Sequence, residues 1–394
     1  MGRLKALQDD KALLNALAGM VSLATAMGIG RFVYTPLLPA LMTGTGLTVS
    51  QAGWIASANF VGYLLGAILG GGGWAHGKER AIALISLLAS SLLAAAMGLS
   101  HDFLVFVIIR FAAGLASAFC LVFTTTIVFA RLAQANRMDL QSVVFSGVGL
   151  GIALSSVLTG IVYFEEARWQ TGWFASGVLS LVGTLIVFLL LAPTAKTIGA
   201  GSRELPLPKS RPFWAMTLAY GFFGAGYVVT ATFLIAIVRV GDGGAQMEAG
   251  VWLVTGIAAF LSLHVWKAAV ASIGLVMAFA VACVIESLGV MASVLIPGMV
   301  GAIVGGALLG GTFVVITAYG LAAGRMSAPD APRKALAVMT AAFGIGQVIA
   351  PIAAGYLADW TGGFLVPSIG AALLLLVSAA TAVGFGSESR AHRT

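Results

Sequence analysis

Charge is what this sequence has least of. Only 9% of its 394 residues are Asp, Glu, Lys or Arg, against about a quarter in an ordinary soluble domain, so a water-facing surface cannot be built around a single core. Cysteine is as scarce. Cys120 and Cys283 sit in separate apolar runs without CxxC spacing, which argues against a disulfide framework or a thiolate metal site and leaves two small buried hydrophobes. The four histidines, His76, His101, His264 and His392, fall in loops or at the ends of runs, with no pair at metal-ligand spacing. No Ser/His/Asp grouping occurs. The glycine run Gly70–Gly73 has no preceding strand and no following GK[ST], so it is not a phosphate loop. Enzyme chemistry, ATP-driven work and a bound cofactor are not expected.

What the chain does have is apolar length: 60% of it is hydrophobic, with a mean hydropathy of +1.03. Runs of about 20 apolar residues cross a bilayer core of roughly 30 Å, and twelve can be counted, from Leu13–Met42 to Phe364–Gly384. The expected fold is all-α and integral to a membrane. Charge then sets the orientation. With the N-terminus in the cytoplasm, Arg31 and Arg110 lie within the membrane and Arg168 and Arg239 outside, and the remaining 17 of the 21 Lys and Arg residues fall inside. Both termini are then cytoplasmic. This asymmetry accounts for the net charge of +7, so the expected surroundings are lipid and no nucleic-acid partner is needed. Ala24-Thr25-Ala26 has the small-residue pattern of a signal-peptide cleavage site. A cut there would remove the half-helix leading to Arg31 and upset the charge count, so the first span is expected to be retained.

Glycines recur at nearly one offset. Gly28 and Gly30 return as Gly224 and Gly226, and Gly114 as Gly310, all 196 residues on; Gly149, Gly151 and Gly160 return as Gly344, Gly346 and Gly355, 195 on. Three helix pairs in such register point to a duplicated unit. Six spans per unit make the copies run the same way, related by an axis along the membrane normal. The expected units are residues 1–192 and 213–386, joined by a polar cytoplasmic linker, 193–212, that holds Lys196, Arg203, Glu204, Lys209 and Arg211, with a cytoplasmic tail at 387–394.

Two six-helix bundles joined in this way resemble the major facilitator superfamily over nearly the whole chain. Arg110-Phe-Ala-Ala-Gly114 is similar to its RxxxG motif in the fourth helix. Gly70–Arg80, GGGGWAHGKER, keeps the glycines and basic residues of the superfamily's G-x-x-x-D-R-x-G-R-R but lacks the Asp, which leaves its usual cytoplasmic charge latch open. Gly355-Tyr-Leu-Ala-Asp359-Trp-Thr-Gly362 fits the pattern better, yet the charge count puts it outside, where it reads as a helix end and turn, or alternatively a latch. The antiporter-type glycine-proline motif is not met, since Ile152 follows Gly151. The string GxGRFxYTPLLP, Gly28–Pro39, resembles the YbfB-type branch. The resemblance implies a secondary transporter of the plasma membrane, a bacterial inner membrane, acting on a small-molecule substrate; a monomer is expected.

Gly28–Pro39 is also where unusual chemistry concentrates. An Arg at the bilayer centre costs about 2.5–3.5 kcal/mol on insertion scales. Pro36 and Pro39 cannot donate to the carbonyls of Phe32 and Thr35, so freed acceptors are expected, and broken backbone at that depth survives only against protein or a wet cavity. Arg31 is therefore expected to face a solute pathway, with solute contact, satisfaction of freed carbonyls and gating as its three readings. Arg110 is a second buried cation with no buried anion in its half. Solute contact is one reading of it, and the structural or proton-coupling role implied by the resemblance is the other.

Tyr34 beside Arg31, Asn59 on the second helix with Tyr63 at i+4, and Tyr227 and Gln347 from the second unit complete the candidate substrate-binding set, plain helix packing being the alternative for each. Gly62, Gly66 and Gly70 form a stripe expected to pack a neighbouring helix. Glu286, the one carboxylate deep in an apolar run, is the candidate group for coupling to a proton. Its other reading is a structural hydrogen bond, because the resemblance implies a peripheral ninth helix. A cavity cationic on one wall and aromatic on the other favours an organic anion with an apolar body, such as a carboxylate. Secondary active transport by alternating access is the expected activity. A proton-coupled efflux pump for hydrophobic drugs or metabolites and a non-transporting membrane sensor are the rivals; the missing carboxylate in the first half counts against the former, the short loops against the latter.

Overall fold

A computed structural model describes residues 2–72, 74–164, 167–193, 205–240 and 244–386. Lys196, Arg203 and Glu204 of the expected linker, and the tail at 387–394, lie outside the described residues. Among those described the regular structure is entirely helical, with 12 spans long and apolar enough to cross a membrane.

The first span, Asp10–Thr45, is broken. α1 (Gly2–Leu23) runs into a six-residue π-helical stretch, Ala24–Ile29, a hydrogen-bonded turn follows at 30–33, and α2 (Tyr34–Thr45) restarts the regular helix. Wide bonds carry the break: the Gly30 N–H donates to Thr25 O at 2.8 Å and the Phe32 N–H to Met27 O at 3.1 Å. Gly28 permits it by contact, since a Cβ there would lie 2.4 Å from Gly151 Cα. Pro36 is the third residue of α2, where a backbone N–H would have no intrahelical acceptor anyway. The expected orphan at Phe32 O is therefore corrected: it accepts from the Thr35 N–H at 3.2 Å.

The remaining spans of the first half are α3 (Val49–Gly70), α4 (Glu79–Ala96), α5 (Phe103–Gln134), α6 (Gln141–Phe164) and α7 (Trp169–Leu190). Those of the second are α8 (Arg211–Val240), α9 (Ala245–Ile273), α10 (Leu275–Leu295), α11 (Gly298–Met326), α12 (Pro332–Thr361) and α13 (Leu365–Gly386). Lipid gives helices no hydrophobic drive to associate, so small residues that allow close approach decide the packing. The stripe Gly62, Gly66 and Gly70 lies against α5, meeting Phe111, Leu115 with Ala118, and Val122. Arg80, the second residue of α4, donates to Leu191 O (2.9 Å) and Phe188 O (2.8 Å), capping the end of α7 within the same half.

The duplication is repeated in the contacts. A Cβ on Gly114 of α5 would sit 1.9 Å from Asn59 O of α3; one on Gly310 of α11 would sit 2.1 Å from Thr255 O of α9. Both members of the first pair map onto the second at the same offset of 196. The halves also meet at equivalent positions, for the Thr35 hydroxyl donates to Ala231 O, again 196 residues away.

Besides that contact of α2 with α8, two broader seams join the halves. In one, α3 packs on α12, with Gly53 against Pro351 and the Ser57 hydroxyl donating to Val348 O at 2.7 Å. In the other, α6 packs on α9, with Gly256 against Ala153 and Trp252 Nε1 donating to Ser155 Oγ at 3.2 Å. At the end carrying the short α2–α3 loop, Trp54 Nε1 of α3 donates to the Tyr356 hydroxyl of α12 at 3.3 Å.

Candidate functional site

In the turn at 30–33 the carbonyls of Gly30 and Arg31 have no backbone donor, whereas those of Phe32 and Val33 accept from Thr35 and Leu37, and Arg110 supplies the two that are missing. Its Nη1 donates to Gly30 O and its Nη2 to Arg31 O, both at 3.0 Å. The carbonyls that draw a cation are thus one turn before the prolines. Arg110 is 3% exposed and lies over the Tyr34 ring at 5.0 Å. Two side chains steady this arrangement: Asn59 Nδ2 donates to Arg110 O at 2.9 Å, and the Tyr34 hydroxyl to Ala52 O at 2.9 Å.

Arg31, relieved of its own carbonyl by Arg110, is placed differently. Its guanidinium carbon lies 4.5 Å from the Tyr63 ring centroid, 4.7 Å from Phe60 and 5.4 Å from Phe32. Such contacts hold a cation in an apolar setting at about 0.5–2 kcal/mol each. Arg31 is 5% exposed, yet Nε and Nη2, which share one edge of the planar group, have no hydrogen-bond partner. Among the described residues it has no ionic partner. An unpaired buried charge costs several kcal/mol even after relaxation, and this edge is left with two donors unmet.

The adjoining hollow is lined by Arg31, Phe32, Thr35, Phe60, Arg110 and Thr232, among others, and has about 10 Å³ free for the centre of a water-sized sphere. That is room for about one water. Residues of both halves line it, Ala231 and Thr232 coming from the second.

Tyr227 and Gln347 stand on the other side. Phe32 meets Phe313 of α11 edge to face at 5.7 Å, and Phe313 is parallel to Tyr227 of α8 within 3° at 6.0 Å. Tyr227 is parallel to Phe343 of α12 within 8° at 5.6 Å, and Phe343 stacks on Tyr220 at 4.8 Å. Gln347 is completely buried, donates through Nε2 to the Tyr227 hydroxyl, and leaves Oε1 unpaired. Glu286 lies apart from the hollow, fully buried where α10 meets α11; the Thr312 hydroxyl contacts its Oε2 at 3.0 Å and its Oε1 is unpaired.

The structure thus brings Arg31, Tyr34 and Arg110 together at the hollow, sets Asn59 behind Arg110, and connects Tyr227 and Gln347 to them through an aromatic wall. Sequence reasoning passed over Phe32, Phe60, Thr35, Phe313 and Phe343. A signal for two of them was present: Phe60 precedes Tyr63 by three, and Phe343 precedes Gln347 by four, each a helical neighbour.

Comparison with known proteins identifies the family of the chain. The family model described as "Uncharacterised MFS-type transporter YbfB" matches residues 23–383. The chain belongs to that family. The resemblance carried by Gly28–Pro39 is borne out, and the family's members and the structural neighbours are transporters rather than enzymes. Among curated relatives, a gallate transporter of Pseudomonas putida is 25% identical over 190 residues, 48% of this chain and 41% of that protein. The cis,cis-muconate transport protein of Acinetobacter baylyi is 24% identical over 201 residues, 45% and 48%. The chain spans about half the length of the curated relatives it matches.

Among solved structures, a mutant of the nucleoside transporter NupG superposes with a TM-score of 0.73 at 14% identity, covering 95% of this chain and 99% of that one. A bacterial homolog of the human lysosomal transporter Spinster, inward-facing and unoccupied, gives 0.64 at 15%, covering 97% and 95%. At such identity the likeness establishes the fold: this YbfB-type chain is a multi-pass membrane protein of twelve spans in two six-helix bundles.

Proposed function

We propose that this protein is a secondary transporter of organic anions, and that Arg31 receives the substrate's carboxylate on its Nε–Nη2 edge. One observation carries the reading: two donors on one edge of a buried cation, unpaired, beside a hollow lined by both halves. A carboxylate satisfies such an edge bidentately. The names of two relatives, transporters of gallate and of cis,cis-muconate, support the same class. Arg110 holds the broken helix that presents Arg31, with Tyr34 and Asn59 bracing it, and Tyr227 and Gln347 form the facing wall.

The halves act as rigid bodies around this site, residues 1–192 against 213–386, tied by 193–212. The charge asymmetry supports cytoplasmic termini and an inner-membrane location in a bacterium, with the protein working as a monomer. In that orientation the α2–α3 loop end is outside, and the seams close the site to the exterior. Glu286 is the candidate proton carrier: with the Thr312 hydroxyl 2.6 Å from Leu308 O, a proton on Glu286 would complete its bond to Thr312 and let the buried carboxyl stand without a cation.

A thermal-shift screen of the purified protein against carboxylates, phosphates, and neutral and cationic hydrophobic compounds tests the reading. A ligand bound only by the native state raises its apparent stability. Stabilisation by organic acids that disappears in Arg31→Ala is expected. Stabilisation by cationic or neutral compounds, unchanged in the variant, would overturn it in favour of a hydrophobic efflux pump.

A further inference from the structure

We infer that the transported anion is a planar ring with one carboxylate and a hydroxyl at the far end, the hydroxyl being read by Gln347 and Tyr227. This deepens the proposed function and rests on Arg31 as the carboxylate receptor.

Ring shape follows from the wall. Phe32 of the first half and Phe313 of the second touch edge to face where the halves meet, and Tyr227 and Phe343 continue from Phe313 in near-parallel planes. A planar ring entering between Phe32 and Phe313 would place one end at Arg31, which lies against Phe32, and the other at Tyr227.

The hydroxyl follows from what the far end offers. Gln347 Nε2 donates to the Tyr227 oxygen, which leaves the Tyr227 O–H proton and Gln347 Oε1 without a partner in the protein. Turning the amide over exchanges the partners and still leaves one donor and one acceptor. That pair is the complement of a hydroxyl. It is not the complement of a second carboxylate, which needs donors or a cation. On α8, α11 and α12, Lys and Arg occur only in the end turns: Arg211, Arg239, Arg325, Arg333 and Lys334. Of the charged groups that act on Tyr227, Arg31 lies in the first half, and Glu286, in its own half, is itself a carboxyl. With Arg31 engaged by the first carboxylate, a second one at Tyr227 would be buried with no counter-charge of its own and would be repelled by Glu286.

Binding of 4-hydroxybenzoate, benzoate and terephthalate to the full chain in detergent, each measured by isothermal titration, tests this. We expect 4-hydroxybenzoate to bind about tenfold more tightly than benzoate, the effect of one hydrogen bond made in a buried site, and terephthalate not to bind. In Gln347→Leu the 4-hydroxybenzoate-to-benzoate ratio is expected to fall to about 1. Tyr227→Phe, which keeps the ring, should do the same if the first variant is not monodisperse. A wild-type ratio near 1, terephthalate binding as tightly as 4-hydroxybenzoate, or a ratio that survives in the folded variants overturns the inference. If benzoate binding is still lost in Arg31→Ala, the carboxylate reading stands without it. If none of the three acids binds the folded wild-type protein, the Arg31 reading itself is overturned and the inference falls with it.

Discussion

Asp359, in the last turn of α12, accepts hydrogen bonds from the backbone N–H groups of Val49 (3.2 Å) and Ser50 (2.9 Å), the first two residues of α3. A carboxylate from one half thus caps a helix of the other. It meets two of the orphan donors and the positive end of the helix dipole, while the next donor, the Gln51 N–H, is served locally by the Thr48 hydroxyl at 3.2 Å. The motif Gly355–Gly362 ends its helix at Gly362, in left-handed backbone at φ 73°, and delivers Asp359 to the seam.

This cap has to break if the halves separate at that end. In Asp359→Ala the lost cap is worth about 1 kcal/mol, which moves an open-to-closed ratio roughly fivefold. Spin labels on the exposed Thr43 and Thr361 report the distance across this end. A longer component is expected in the variant, and an unchanged distribution would mean that the cap does not hold the seam.

The two buried arginines are expected to respond oppositely. Arg110→Ala strips Gly30 O and Arg31 O of their donors, at roughly 1–3 kcal/mol for each buried acceptor, so the thermal midpoint falls. Arg31→Met removes an unpaired buried charge, so the ligand-free midpoint holds or rises while organic-acid stabilisation is lost. Melting curves of both variants, with and without benzoate, check the contrast. A ligand-free Arg31→Met protein as destabilised as Arg110→Ala would assign Arg31 a structural role.

Close helix approach supplies a third comparison. Gly114→Ala and Gly310→Ala each push a methyl group into a facing backbone oxygen, and overpacking of this kind costs about 1–3 kcal/mol. Gly311→Ala and Gly250→Ala point into open space within their helices, where Ala is favoured over Gly by about 0.8–1 kcal/mol. The first pair is expected to melt earlier than wild type and the second pair no earlier.

Glu286→Gln keeps the shape and the hydrogen bond to Thr312 but cannot exchange a proton. Transport driven by an imposed proton gradient is expected to stop in proteoliposomes, while exchange of substrate across the membrane continues. Gradient-driven uptake at the wild-type rate would leave Glu286 a structural partner of Thr312.

Hydropathy and register by themselves determined the twelve spans and the duplicated unit. Both are local or strictly periodic: about 20 apolar residues suffice to cross a bilayer, and a glycine that permits contact in one copy stands at the same place in the other, as Gly114 and Gly310 do on Asn59 and Thr255. The sequence also singled out Arg31 and Arg110 by their cost in lipid, with solute contact among the readings of each. Only the tertiary structure separated them, because the carbonyls of a broken helix and the arginine that meets them come from segments 79 and 80 residues apart. Asp359 is the same kind of case, since its partners lie some 310 residues away. What a polar side chain does in a membrane protein depends on which donors and acceptors its neighbours have already satisfied, and no periodicity along the chain records that.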